Sequence, residues 1–478
     1  MGRVLEGLKP EKVFYYFEEI SQIPRGSKNE KQISDYLYNL ANEKGWEVIQ
    51  DEALNIIIKK PATKGYENAP VVMLQGHMDM VCEKNEGVIH DFEKDPIKLR
   101  IKDDCIYATD TTLGADNGIA VAYVLAVLDS NEIEHPALEV LITTDEEQGM
   151  SGAEKVDGCI FKSKYLLNLD SEEEGVFTSG CAGGAEIIFK IPVKRQENKK
   201  AAYKLVVKGL FGGHSGVDIH KERANANKIL GRILYDLIND IELISINGGS
   251  KPNAIPREAN ALVSTENIEQ VKNKIKDWDL ILKNEFAFTD PDVVVFIEET
   301  NKTDFPLEKE ILKKVTSLIN LTFHGVLSKS TEIDLIISSN NLGVITTDEN
   351  YINFNNHPRS SVMSLLSNSF IPAMKQLGDL LDIECEVGSF YPGWEYVKNS
   401  PLRDLCIETY KEMYNKEPVV GAIHAGLECG LLMEKVKGLD AISLGPDGWD
   451  VHSPNEHISI KSIENTFNLL CSLLSKIK

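Results

Sequence analysis

The sequence predicts an α/β protein: one domain with a mixed sheet flanked by helices, split in two by an inserted α+β domain. Three observations predict it. Short apolar runs alternate with helical patterns towards both ends of the chain, the mark of an α/β sheet. Each of those runs stops at an acid or a histidine. The middle changes rhythm, to strand-helix-strand-strand taken roughly twice. Residues 1–184 are therefore expected to form the first part of the split domain, 185–382 the insert and 383–478 the second part.

The opening is helical. Pro10 sits where a first turn tolerates proline, and Val13, Phe14, Phe17 and Ile20 recur at helical spacing. A second helix, 29–44, stops at Gly45 as a C-cap would. Val71-Val72-Met73-Leu74 reads as a strand leading into Gly76-His77-Met78-Asp79. Residues 118–128 are apolar nearly all round, a buried helix that begins just after Asp116. The run 138–142 leads into Asp145-Glu146-Glu147, and 165–169 ends at Asp170. In the insert, strands are expected at 203–207, 241–246, 260–263 and 292–297, with helices at 223–239 and 268–284. Ala441-Ile442-Ser443-Leu444 then leads through Gly445-Pro446 to His452. Ligands of open α/β sheets bind beyond the carboxyl ends of the strands, and the acids and histidines stand at those ends.

Composition narrows the classes of function. The 478 residues are 42% apolar and 26% charged, an ordinary globular balance with ample core. The net charge of −23 argues against nucleic acid or an anionic membrane as partner, since both need a positive surface. No run reaches the roughly 18 apolar residues of a membrane span. Residues 1–10 carry charges and no apolar stretch, so a secretory signal is not expected. Eight scattered cysteines without a Cys-x-x-Cys read as reduced thiols in the cytoplasm.

Singly, each polar strand end has a bland reading. A His-x-Asp such as His77–Asp79 is common on surfaces; its sharper reading is a metal-ligating imidazole whose other nitrogen meets a carboxylate. Asp116 before an apolar helix is usually an N-cap; it can also bridge two metals. Glu146 and Glu147 normally would face water, but one can ligate a metal while its neighbour takes the proton of a bound water. Asp170 and His452 alone would be unremarkable. Jointly, His77, Asp116, Glu147, Asp170 and His452 fall at one edge of one sheet. That is an N/O donor set without thiolate, suited to Zn²⁺, Mn²⁺ or Co²⁺.

At this point the sequence resembles the co-catalytic metallopeptidases that include carboxypeptidase G, aminoacylase, tripeptidase and the dipeptidases. The general motifs are Gly76-His77-Met78-Asp79, Gly114-Ala115-Asp116-Asn117-Gly118, Asp145-Glu146-Glu147 and Asp170. His424-Ala425-Gly426-Leu427-Glu428-Cys429-Gly430, Gly445-Pro446 and His452-Ser453-Pro454-Asn455-Glu456 point to the branch acting on aminoacyl-histidine (Xaa-His) dipeptides. The resemblance covers essentially the whole chain and implies a cytoplasmic dinuclear exopeptidase with two divalent metal ions, zinc first, manganese or cobalt as alternatives. It implies that Asp116 bridges the metals, that His77 and Asp170 complete one site, and that Glu147 and His452 complete the other. A hydroxide held between the metals would attack the scissile carbonyl, with Glu146 as general base and Asp79 orienting His77.

The insert resembles the family lid. Gly212-Gly213-His214-Ser215-Gly216 matches the lid loop whose histidine stabilises the oxyanion. Arg359 is expected to clamp the peptide carboxylate, since guanidinium binds carboxylate bidentately. Asn253, His424 and Gly426 join these as substrate-binding residues. Around Arg359 the segment 351–357 departs from the branch's pattern in being rich in asparagine. His90, His135, His220, His324, His357 and His457 are expected to be structural. The expected partners are small peptides, with a homodimer through the lid and neither nucleic acid nor membrane. The rival readings are a related hydrolase of tripeptides or N-acyl amino acids, and a non-catalytic metal-binding protein.

Overall fold

The structure, a computed structural model, describes residues 2–197, 199–331 and 335–478. It divides into two compact units. The first holds the chain up to Gly180 together with Tyr396–Ala422 and Leu427–Lys478; the second holds Cys181–Glu395 and Ile423–Gly426.

The first unit is built on an eight-stranded sheet in the order Glu47–Gln50, Ile56–Lys60, Leu138–Thr143, Val72–His77, Tyr165–Asn168, Asp440–Ser443, Val176–Cys181, Val419–Ile423. Its central strands are parallel, while Ile56–Lys60 runs antiparallel to Leu138–Thr143, so the sheet is mixed as expected. Val72–His77 and Leu138–Thr143 are buried along their whole length, which is why they read as continuous apolar runs rather than alternating ones. Helix Ala115–Leu128 is buried on nearly every side. Helices Glu11–Ile20, Lys31–Lys44, Pro401–Tyr414 and Ile460–Lys476 turn their apolar faces into the same core. Parallel pairing in register brings His77 beside Thr143 and Gln75 beside Asn168. The carboxyl ends of three strands therefore open on one edge, just before Glu146, Glu147 and Asp170.

The second unit is a nine-stranded sheet with helices Ala226–Asp236, Ile268–Glu285, Lys309–Leu321 and Ile371–Leu381 sharing its core. The expected strands are present as Lys200–Lys208, Glu242–Gly248, Ala259–Ser264 and Val294–Asp304. The expected boundary at 382 needs correction. Strand Glu384–Tyr391 pairs antiparallel with Gly183–Pro192 and belongs to this sheet. Ile423–Gly426 also joins the unit, where the Ala182 amide donates to the carbonyls of Ile423 and Ala425 at 3.1 Å. Glu384–Tyr391 is an edge strand with hardly any buried side chain, so only its long-range pairing reveals where it belongs. Among the described residues, no helix is long and apolar enough to cross a membrane, and no disulfide joins the cysteines.

Candidate metal centre

His77 ends its strand almost wholly buried, 1% exposed. Its position is fixed from three sides. Its backbone N–H donates to Asn117 Oδ1 at 3.2 Å, its Nδ1 lies 3.3 Å from Asp79 Oδ1, and its Nε2 faces Asp116 and Asp170. Asp79 is itself held by Ser27 Oγ at 2.8 Å and by the backbone amides of Glu146 and Glu147 at 3.1 and 3.3 Å. Gly76 allows the close approach behind it: a Cβ there would lie 2.4 Å from Asn117 Oδ1.

The N-cap position of helix Ala115–Leu128 carries no capping side chain, and Asp116 lies in the first turn. Its backbone departs from helical geometry, with φ −80° and ψ 107°, and this turns the carboxylate to the sheet edge. There the two oxygens separate. Oδ1 lies 3.2 Å from His77 Nε2, and Oδ2 lies 3.2 Å from His452 Nε2. His452 Nε2 also lies 2.9 Å from Glu147 Oε2, and His77 Nε2 lies 3.5 Å from Asp170 Oδ1.

Among the described residues, three groups of side chains bring their ligand atoms within 4.8 Å of one another: His77, Asp116 and Asp170; Asp116, Glu147 and His452; and His77, Glu146 and Glu147. Glu147 enters two of these groups and Glu146 only one. Together the first two groups contain all five sequence-predicted ligands and share Asp116. Oxygen and imidazole donors without sulfur suit a hard or borderline divalent cation. Glu147 Oε1 is buried without a hydrogen-bond partner, as a ligand oxygen awaiting a cation would be.

The electrostatics agree. Burial raises the carboxyls of Glu147 and Asp170. Burial also pushes Glu146 well above its ordinary value; His77 opposes this, and Asp170, Glu428 and Glu147 reinforce it. For Asp116, burial is outweighed by His452 and His77, which hold the carboxyl far below the usual range. His77 is held well above an ordinary histidine because Asp170, Asp116 and Asp79 outweigh its burial. Hydrogen bonds to Asp116 and Glu147 push His452 up to about 11. Buried carboxyls raised above their ordinary values, beside imidazoles raised above theirs, make a crowded site to which divalent cations would bring compensating positive charge.

The second unit gathers its own predicted residues. Gly213–His214 pairs with Ala254–Ile255, and the Ser215 amide donates to the Asn253 carbonyl at 2.8 Å, so His214 and Asn253 share one ribbon. The Val217 amide donates to His214 Nδ1 at 3.2 Å, which puts the ring proton on Nε2. Gly216 lets this loop meet His424, whose carbonyl oxygen would lie 2.4 Å from a Cβ. His424 Nε2 shares a 2.7 Å hydrogen bond with Ser339 Oγ. Arg359, 4% exposed, donates from Nη1 to Tyr391 Oη at 2.7 Å, while its buried Nε has no partner. A cavity of about 120 Å³ opens on Arg359, Ser338, Ser339 and Ser360, with Leu366 and Phe370 on its apolar side. Burial, reinforced by the Arg359 cation, lowers His424 and His357 to about 3, so both rings are neutral. Gly426 lies two residues past His424 in the same short segment.

Several residues at these sites were missed from sequence. Asn117 bridges strand ends, with Nδ2 donating to Leu169 O at 2.8 Å. Glu428 is fully buried, accepts from Gln75 Nε2 and Thr143 Oγ1, and is pushed up to about 8 by burial. Glu456 and Arg25 frame the Asp116 turn. Asn117, Glu428 and Glu456 stand inside motifs already singled out, and that was their only signal. His357 and Tyr391 join the Arg359 cluster, with His357 Nε2 3.4 Å from Tyr391 Oη. Of the other histidines expected to be structural, His135 bonds Pro136 O, His324 meets Asn225, and His457 stacks on Tyr107. The asparagines near Arg359 serve the sheet. Asn353 bonds Asp348, Asn355 bonds Glu186 and Asn356 bonds Asn340.

Residues 73–476 match the model of peptidase family M20/M25/M40. The chain is 38% identical to the cytosol non-specific dipeptidase of Escherichia coli (strain K12), over 99% of each chain. It resembles the crystal structure of aminoacylhistidine dipeptidase from Vibrio alginolyticus with a TM-score of 0.88 and 37% identity, covering 99% of this chain and 98% of that one. Aminopeptidase PepT from Bacillus cereus shares the fold, with a TM-score of 0.58 at 16% identity over 98% of this chain and 99% of that one. With its fold, strand-end motifs and full-length relatives in agreement, this chain belongs to peptidase family M20/M25/M40.

Proposed function

We propose that the protein is a metal-dependent dipeptidase whose centre takes two divalent cations, one held by His77, Asp116 and Asp170 and the other by Asp116, Glu147 and His452. The observation that carries this is the split of Asp116: one oxygen faces His77 and the other faces His452. Cations bound there would polarise the scissile carbonyl and acidify a water at neutral pH. Zinc, manganese and cobalt all suit the donor set.

Glu146 is the general base in this reading. It follows the carboxyl end of a sheet strand, beside the ligands, and its raised pKa suits a group that takes the water's proton and later returns it to the leaving amine. Glu147 is the ligand of the pair because it alone meets His452. Asp79 keeps the His77 ring oriented, as outer-shell carboxylates do.

The buried Arg359 beside its small cavity is the proposed clamp for the substrate carboxylate, with His424, Gly426 and Asn253 as further substrate contacts. His214, protonated on Nε2, is suited to donate to an oxyanion. The substrate class is dipeptides, and Xaa-His peptides are the first to try. One relative's name says non-specific and another's says aminoacylhistidine, so breadth is for assay. The first relative's name also supports a cytosolic location. The test is a hydrolysis panel of beta-alanyl-histidine, other dipeptides, tripeptides and N-acetyl amino acids. Turnover confined to dipeptides is expected. Preference for tripeptides or N-acyl amino acids would transfer the chain to the related hydrolases, and no turnover of any would favour a binding protein.

A further inference from the structure

His452 and Asp116 lie 336 residues apart in sequence, yet both must face one cation. His452 is poorly suited to hold that position alone. Its side chain is 50% exposed, and its backbone sits at φ 60°, a left-handed conformation that costs a non-glycine residue. Asp450, two residues earlier, is also left-handed, at φ 53°. Within the loop, Ser453 Oγ donates to the Asp450 carbonyl at 2.7 Å and accepts from the Asn455 amide at 3.2 Å, but neither bond reaches the Asp116 turn.

Four residues after His452 stands Glu456, 3% exposed. Its carboxylate accepts four backbone N–H groups of the Asp116 turn. Leu113 and Gly114 donate to Oε2 at 2.7 and 2.9 Å, and Ala115 and Asp116 donate to Oε1 at 2.7 and 3.3 Å. These amides stand at the start of helix Ala115–Leu128, where backbone donors have no partner within the helix. On the other side of the turn, the buried Arg25 guanidinium donates to the Gly114 carbonyl. It also donates to the carbonyls of Met78 and Asp79 at 3.0 and 3.2 Å, beside His77. One carboxylate thus joins the His452 loop to the Asp116 turn, and one guanidinium joins that turn to the His77 strand end.

We propose that Glu456, backed by Arg25, is a positioning residue that sets the spacing of His452 from Asp116. It thereby governs cation affinity at the Asp116–Glu147–His452 group more than at the His77–Asp116–Asp170 group. The proposal rests on the two-cation reading above.

The test is Glu456→Gln, which keeps the shape and replaces one acceptor oxygen with an amide N–H₂ facing backbone donors. Chelator-stripped full-length protein is titrated with Co²⁺, followed by its d–d absorption and by competition with a chromophoric chelator. Wild type should bind two equivalents. In the variant one binding event should weaken by roughly 10- to 100-fold, the cost of losing an outer-shell partner. The other should change less than about threefold, with an altered absorption band for the weakened site alone. Should the glutamine variant fail to fold, Glu456→Asp keeps the charge at shorter reach and should show the same selective weakening. Equal weakening of both events, or none, would overturn the proposal. A wild type that binds no Co²⁺ would instead end the two-cation reading itself.

Discussion

Replacing Asp116 by asparagine should release His452. In the metal-free protein the His452 imidazolium is pushed up to about 11 by Asp116 and Glu147. Asp116 Oδ2 is 3.2 Å from its Nε2. Two unit charges at that distance attract by about 5 kcal/mol at an effective dielectric of 20 and by about 1.3 kcal/mol in bulk water. Because the His452 side chain is 50% exposed, solvent screening puts the effect near the lower figure. That corresponds to a fall of about 1 to 2 pKa units. Glu147, at 2.9 Å, remains to hold the rest. The assay is an NMR pH titration of the His452 ring in chelator-stripped wild type and Asp116→Asn. The same variant should weaken both cation-binding events by more than the roughly 10- to 100-fold of an outer-shell change, because Asp116 belongs to both groups. An unmoved His452 titration, or a variant that loses only one cation, would refute the bridging role.

Glu146→Gln should keep both cations and lose about 10²- to 10⁴-fold in kcat, while Glu147→Gln should lose cation binding; metal analysis beside kinetics would expose a reversed assignment. His214→Ala should lower kcat by about 10²- to 10³-fold without changing metal content, and wild-type rates would remove it from the reaction. Arg359→Ala should mainly raise KM; amidating the substrate's carboxylate should mimic this in wild type and add little in the variant. Above about pH 6.5 the stability of the metal-free protein should fall as pH rises, because raised groups bind more protons in the native state than in the unfolded one. Glu428 and Glu172, pushed up to about 8 mainly by burial, lose their contribution between about 4.5 and 8. That of His452 is full below about 6.5 and gone as pH passes about 11. His357 and His424, lowered to about 3, act in the opposite sense up to about pH 6.5, so denaturant unfolding compared at pH 7 and 8 should show the decline, and a flat or rising profile there would contradict the charge distribution.

The main sheet was legible because its central strands are buried on both faces, which leaves continuous apolar runs that end abruptly at polar residues. His77 ends one of those strands, and Asp170 and the Glu146–Glu147 pair follow others within a few residues, so their convergence could be inferred from the binding of ligands at the carboxyl ends of α/β strands. Asp116 was legible as a residue but not in its geometry. Its non-helical backbone and the Glu456 cradle depend on contacts more than 300 residues away in sequence. Glu384–Tyr391 escaped notice for a similar reason: its side chains barely enter the core, and only pairing with Gly183–Pro192 assigns it to the second unit. His357 and Tyr391 carry no local signal, since each becomes notable only beside Arg359.

A dipeptidase with a shared-carboxylate centre should need its cations for turnover. The decisive measurement strips the protein with a chelator and titrates Zn²⁺ or Mn²⁺ back while following hydrolysis of a dipeptide such as beta-alanyl-histidine. The stripped protein should show no turnover, with full recovery once two equivalents are bound. Undiminished hydrolysis after exhaustive removal of metal, or full activity at a single equivalent, would contradict this.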